Sequence, residues 1–111
     1  MAYDEDLANR VRERVADMPD MTEKQMFGGL GFLVAGNVAV TVSFRGGLMV
    51  RVDKTKSDRL VATTNATVVE MRGRLMPGWL RVEPEDVRTT RQLKKWVTLG
   101  IDVARTLPPK R

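Results

Sequence analysis

Apolar and polar positions alternate with period two from Val38 to Arg45. Val38, Val40, Val42 and Phe44 fall on one side, and Ala39, Thr41, Ser43 and Arg45 on the other. That pattern, rich in β-branched residues, predicts a strand over 38–45 with one apolar face. Leu48, Val50 and Val52 alternate with Met49, Arg51 and Asp53 in the same way, predicting a strand over 48–53. Upstream, a strand is expected near 24–34. The turn signals Ala35-Gly36-Asn37 and Gly46-Gly47 join these three into an antiparallel meander. Two further strands are expected near 67–72 and 79–83, separated by a longer turn over Gly73–Gly78, with Pro84 stopping the second.

The remaining segments read at helical spacing. Leu7, Val11, Val15 and Met18 recur every three to four residues, with Asp4, Glu5 and Asp6 at the positive end of the dipole and Pro19 as the stop. A short helix carrying Leu60 and Val61 is expected between Asp53 and Thr64, capped by Thr55, Ser57 or Asp58. Thr89 and Gln92 have capping-box spacing and open the strongest helix. Its stripe runs Leu93, Trp96, Val97, Gly100, Ile101, Ala104 and Leu107, widened by Leu99 and Val103; Pro108-Pro109 closes it, followed by the basic end Lys110-Arg111. The order is α-β(3)-α-β(2)-α. This is an α+β fold of two layers, with helices on one face of an antiparallel sheet and the other face open or covered by a second copy.

The chain is organised around Met26-Phe27-Gly28-Gly29-Leu30-Gly31-Phe32, where three glycines lie within four positions. On strict alternation Met26, Gly28, Leu30 and Phe32 share a face, and Gly29 and Gly31 leave a gap on the other. Such a run marks a bulge, a bend or a close backbone approach. Gly29 and Gly31 are therefore expected to serve packing. A phosphate cradle needs a helix to begin after the loop, and here a hairpin follows.

Composition narrows the chemistry. With 111 residues the chain is expected to form one domain, 1–111. It contains no cysteine and no histidine, which removes thiol nucleophiles, disulfides, zinc sites of the usual type and the commonest general base. No metal site, cofactor or catalytic residue is assigned, and the expectation is a protein that is not an enzyme. Asp53, Asp58, Glu70, Glu83, Glu85 and Asp86 supply carboxylates without a spacing that demands acid–base chemistry. The acidic N-terminus lacks the features of a signal peptide, and no apolar run is long enough to span a membrane, so a cytoplasmic location is expected.

The net charge of +5 is uneven: −3 over residues 1–20, +2 over 21–70 and +6 over 71–111. Arg88, Arg91, Lys94 and Lys95 concentrate it at the start of the last helix, where cations oppose the dipole. Exposed lysine and arginine bind phosphates with little sequence preference, so these four are the candidate nucleic-acid contacts; a solvated face is the alternative. Trp96 falls in the apolar stripe and is expected in the core. Trp79, after a Pro-Gly turn, is expected there too, with a half-exposed anchor as the alternative.

Several blocks in this order look like the N-terminal domain of the TfoX/Sxy competence regulators. They are Lys24–Phe32, Leu48–Val52, Met76-Pro77-Gly78-Trp79, Leu93 to Trp96-Val97, and Leu107-Pro108-Pro109-Lys110. The resemblance implies a two-layer fold similar to that of the secretion chaperones and a link to competence and transcriptional regulation. Full-length regulators carry a second, helical C-terminal domain beyond the part matched here, which implies a stand-alone domain of unassigned function. The family brings no catalytic residues. Two readings remain open: a regulatory or binding module that contacts a protein partner or nucleic acid, and a chaperone-like or scaffolding homodimer with no nucleic-acid role.

Overall fold

A computed structural model describes residues 3–109, so the expected basic end Lys110-Arg111 lies outside the described residues. Helix α1 (Glu5–Val15) is followed by four strands: β1 (Met21–Met26), β2 (Gly29–Val34), β3 (Asn37–Val42) and β4 (Leu48–Arg51). Then come α2 (Lys54–Thr63), β5 (Thr67–Met71), β6 (Arg74–Val82), a 3-10 turn (Pro84–Val87) and α3 (Thr90–Arg105). The strands form one antiparallel sheet in the order β1-β2-β3-β4-β6-β5. The fold is α+β.

Helix α1 begins at Asp4, whose carboxylate accepts from the Leu7 amide at 3.1 Å, and it buries Leu7, Ala8, Val11 and Val15. Helix α3 begins with the expected capping box: Thr89 Oγ1 accepts from the Gln92 amide at 3.1 Å, and Gln92 Oε1 accepts from the Thr89 amide at 2.9 Å. Its stripe lies on β3 and β4, where Leu93, Trp96, Val97 and Ile101 join Phe32, Val40, Val42, Leu48, Val50, Leu80 and Val82 in one core. Helix α2 is capped two residues before the earliest of its expected caps. Asp53 is the cap, accepting from the Thr55 amide at 2.9 Å.

The expected strand 24–34 is two strands. Phe27 and Gly28 both have positive φ, 52° and 74°, and make the two-residue turn of a β1–β2 hairpin. The sheet therefore has six strands rather than five. The hairpin also moves Met26 to the face opposite the one expected from alternation. A Cβ on Gly31 would lie 2.7 Å from Met26 Sδ, so that side chain fills the gap at Gly31. A Cβ on Gly29 would lie 2.1 Å from the Val42 carbonyl oxygen. The two glycines thus differ in kind: Met26 can rotate away, and the β3 backbone cannot. Gly29→Ala is expected to lower stability by about 1–2 kcal/mol and Gly31→Ala by clearly less, read from urea midpoints. Equal midpoints for the two variants would contradict this assignment.

Three further differences from the alternation pattern have local causes. Strand β3 ends at Val42, so Phe44 leaves the apolar face and is 56% exposed. The β2–β3 register shifts by one between Phe32 and Leu33, which turns Ala39 into the core and leaves Val38 half-buried. The expected long turn at 73–78 is instead the first part of β6. Arg72 and Gly73, with φ of 53° and 79°, make a two-residue turn after β5. Pro77 and Gly78 then pass through the strand where its register with β5 is broken. Pro77 stands opposite no ladder partner, so its missing N–H costs no sheet hydrogen bond.

Helix α1 is tied to edge strand β1 by a bidentate pair, Arg12 Nε to Glu23 Oε2 at 2.7 Å and Arg12 Nη2 to Glu23 Oε1 at 2.8 Å. The Arg12 guanidinium holds the Glu23 carboxyl below its ordinary value, mainly through the hydrogen bond. A lowered carboxyl contributes stability above its ordinary value that is lost as pH falls through the lower folded one. Both side chains are well exposed, which limits the pair to about 1 kcal/mol or less. Glu23→Gln should remove that much at neutral pH and flatten the acid limb of the stability curve below pH about 4. Parallel wild-type and variant curves would show that the pair contributes nothing.

Candidate nucleic-acid interface

The turn Pro84–Val87 and the start of α3 are held by what they bury. Val87 and Leu93 insert into the core on either side of the Thr89 cap. This fixes the opposite side of the junction to solvent, and Arg88, Arg91, Lys94 and Lys95 are all exposed there. Arg91 lies three and four residues before Lys94 and Lys95, so the three share one helical surface. None of the four takes part in an ion pair among the described residues, where the pairs are Arg12–Glu23, Arg81–Glu83 and Arg105–Asp20.

Two details sharpen the cluster. Arg10, on α1, donates from Nη2 to the Arg88 carbonyl at 3.0 Å, which brings a fifth cation to its edge. Nothing in the sequence tied α1 to residue 88. The Lys95 ammonium sits 5.3 Å from the centroid of the Trp96 ring. Lys95 is therefore partly anchored by a cation–π contact, while Arg91 and Lys94 are free to meet a partner. Glu85 and Asp86 precede the cluster, and Asp86 accepts from the Asn65 amide group at 3.2 Å.

The other positions singled out from the sequence fall elsewhere. Met26, Phe27, Gly28, Gly29, Gly31 and Phe32 belong to the β1–β2 hairpin, with Phe32 in the core and Phe27 63% exposed at the turn. Trp96 is in the core. Trp79 is not: it is half-buried at the end of the sheet, beneath the guanidinium of Arg51 at 4.7 Å, where both side chains border the space between α2 and α3. Strand pairing explains this, since Arg51 and Trp79 are register partners, and their neighbours Val50 and Leu80 take the core side. Several candidate carboxylates have structural partners. Asp53 caps α2, and Glu83 pairs with Arg81 at 2.9 Å. The Asp53 carboxyl is held below its ordinary value by the hydrogen bonds from Thr55. Among the described residues no group of three or more acidic side chains converges as a metal site would require. No described helix is long and apolar enough to cross a membrane.

The sequence profile of the TfoX N-terminal domain matches residues 13–104, which is most of the chain. The chain belongs to the TfoX N-terminal domain family. A comparison with curated proteins gave no match. The matched range takes in the sheet, α2 and nearly all of α3, so the exposed cations of the 88–95 segment lie within the TfoX N-terminal unit. The family is of a regulatory type and is not a known enzyme family.

Proposed function

We propose that this TfoX N-terminal domain is a non-enzymatic regulatory module, related to regulators of competence and transcription, that meets nucleic acid through the start of α3. The observation that supports it is the exposed set Arg88, Arg91, Lys94 and Lys95, fixed on a capped helix and without carboxylate partners among the described residues. Rigid placement lowers the entropy lost when these side chains meet phosphates. Lysine and arginine on an exposed helix start contact phosphates rather than base edges, so contact is to the backbone and tolerant of sequence. Replacing Arg91, Lys94 and Lys95 together with glutamine keeps helix propensity and removes three charges. Affinity for DNA and RNA at low salt should fall, and the slope of log K against log salt should shrink by about 2–3. Stability should change little. Equal retention of wild type and variant on both nucleic acids would remove this reading.

The second reading is a chaperone-like or scaffolding homodimer. It is favoured by Phe27 and Phe44, 63% and 56% exposed, at one end of the helix-free sheet face. A dimer in solution that is lost in Phe27→Ser/Phe44→Ser, with no salt-dependent nucleic-acid binding, would put this reading first.

A further inference from the structure

At the far end of α3 from the cation cluster, α2 and α3 diverge over the end of the sheet and leave a cleft of about 990 Å³. Its apolar walls include Leu60 of α2 and Leu99 and Val103 of α3. Leu99 and Val103 widen the α3 stripe; Leu99 packs against the margin of the core, and both remain half-buried. The volume is at the upper end of the range for small-molecule sites.

The mouth is cationic. Arg51, Lys54 and Lys56 line it; none of them is in an ion pair among the described residues, although Lys56 is near enough to Asp53 to help hold its carboxyl down. Arg51 is the unusual group. Its guanidinium carbon sits over Trp79, 4.7 Å from the ring centroid; the residue is half-buried, and its side chain makes no hydrogen bond among the described residues. Burial pushes it below its ordinary value, although an arginine at this depth stays charged. Two acids share the lining, Asp53 and Asp102. Asp53 is turned to the first turn of α2, where its Oδ1 accepts both the Thr55 amide at 2.9 Å and the Thr55 hydroxyl at 2.7 Å. Asp102 is exposed on α3. A half-buried guanidinium fork that makes no side-chain hydrogen bond among the described residues, at the rim of a cleft with apolar walls, has the charge and shape complementary to a carboxylate on an apolar body.

We propose that this cleft binds a small organic monoanion, with its carboxylate on Arg51 and its apolar part against Leu60, Leu99 and Val103. A polyanion does not suit it. Nucleic acid requires an extended track of cations, whereas here the cations gather at one mouth and the one aromatic ring of the lining, Trp79, is covered by Arg51. The proposal is independent of the nucleic-acid surface, which lies at the other end of α3.

Octanoate is a suitable probe, with octanol as its neutral counterpart, titrated into the full chain and followed by amide and indole NMR signals. Octanoate should bind saturably and shift the Trp79 indole N–H together with Leu60, Leu99 and Val103. Octanol should bind about tenfold more weakly, as expected for loss of one charge-assisted contact. Arg51→Gln should weaken octanoate about tenfold and leave octanol unchanged, while Arg51→Lys should fall between. The double variant Lys54→Gln/Lys56→Gln touches only exposed side chains and gives a second reading of the charge requirement, with a smaller loss. Equal affinity for octanoate and octanol, shifts centred on Phe27 and Phe44, or no saturation would each overturn the proposal.

Discussion

Trp96→Ala is expected to lower the unfolding free energy by about 3–5 kcal/mol, the largest loss from any single truncation considered for this protein. Trp96 is 4% exposed and stands mid-way along the face by which α3 lies on the sheet, between Leu93 and Ile101. Removing the indole leaves a cavity that α3 cannot close by settling, because Gly100 one turn further on already brings the helix against the β3 backbone. For a domain of this size the thermal midpoint should drop by roughly 15–25 °C. The urea slope should stay the same, since the surface exposed on unfolding hardly changes. An unchanged midpoint would mean that the stripe does not form the core.

Gly100→Ala sets two effects of opposite sign against each other. Alanine is the better helix former by about 1 kcal/mol. Its Cβ, however, would lie 2.4 Å from the Ala39 carbonyl oxygen and 2.8 Å from Val40 Cγ1. Ordinary contact begins near 3.4 Å, so α3 must lift by about 1 Å at its closest point. Leu93, Trp96, Val97, Ile101 and Ala104 lie on the same face, and a lift loosens the contacts of each. Packing wins, and a net loss of about 2–3 kcal/mol is expected from equilibrium unfolding. A neutral or stabilising result would mean that the helix-to-sheet distance has slack and that propensity decides at this site.

Much of this architecture was legible in local patterns. The period-two run at 38–45, the Thr89–Gln92 box and the apolar stripes of α1 and α3 gave the α+β class and the antiparallel sheet. Each reports on its own few residues. The features that escaped depend on backbone states or partners that no local pattern encodes. Phe27 is a poor candidate for positive φ, and only its place before Gly28 in a tight hairpin imposes it. Pro77 argues against a strand until the broken register with β5 is known. The cation set of α3 was readable because it is contiguous in sequence. The stack of Arg51 on Trp79 was not, because it rests on the pairing of β4 with β6 rather than with β5.

That pairing also bears on how the chain acquires its structure. Strands β1 to β4 each join their neighbour through a connection of two to five residues, and β5 joins β6 through two. The two pieces meet along a single seam, Leu48 to Arg51 against Val82 to Trp79, which closes a loop of about 30 residues. Local pairings form early because their loop entropy is small, and a seam that must wait for α2 to be traversed forms late. Substitutions that weaken the seam alone, at Val50 or Leu80, are therefore expected to act chiefly on the rate of unfolding, whereas those in the local hairpins slow folding itself. The order in which the strands stand across the sheet becomes, in this way, an order in time.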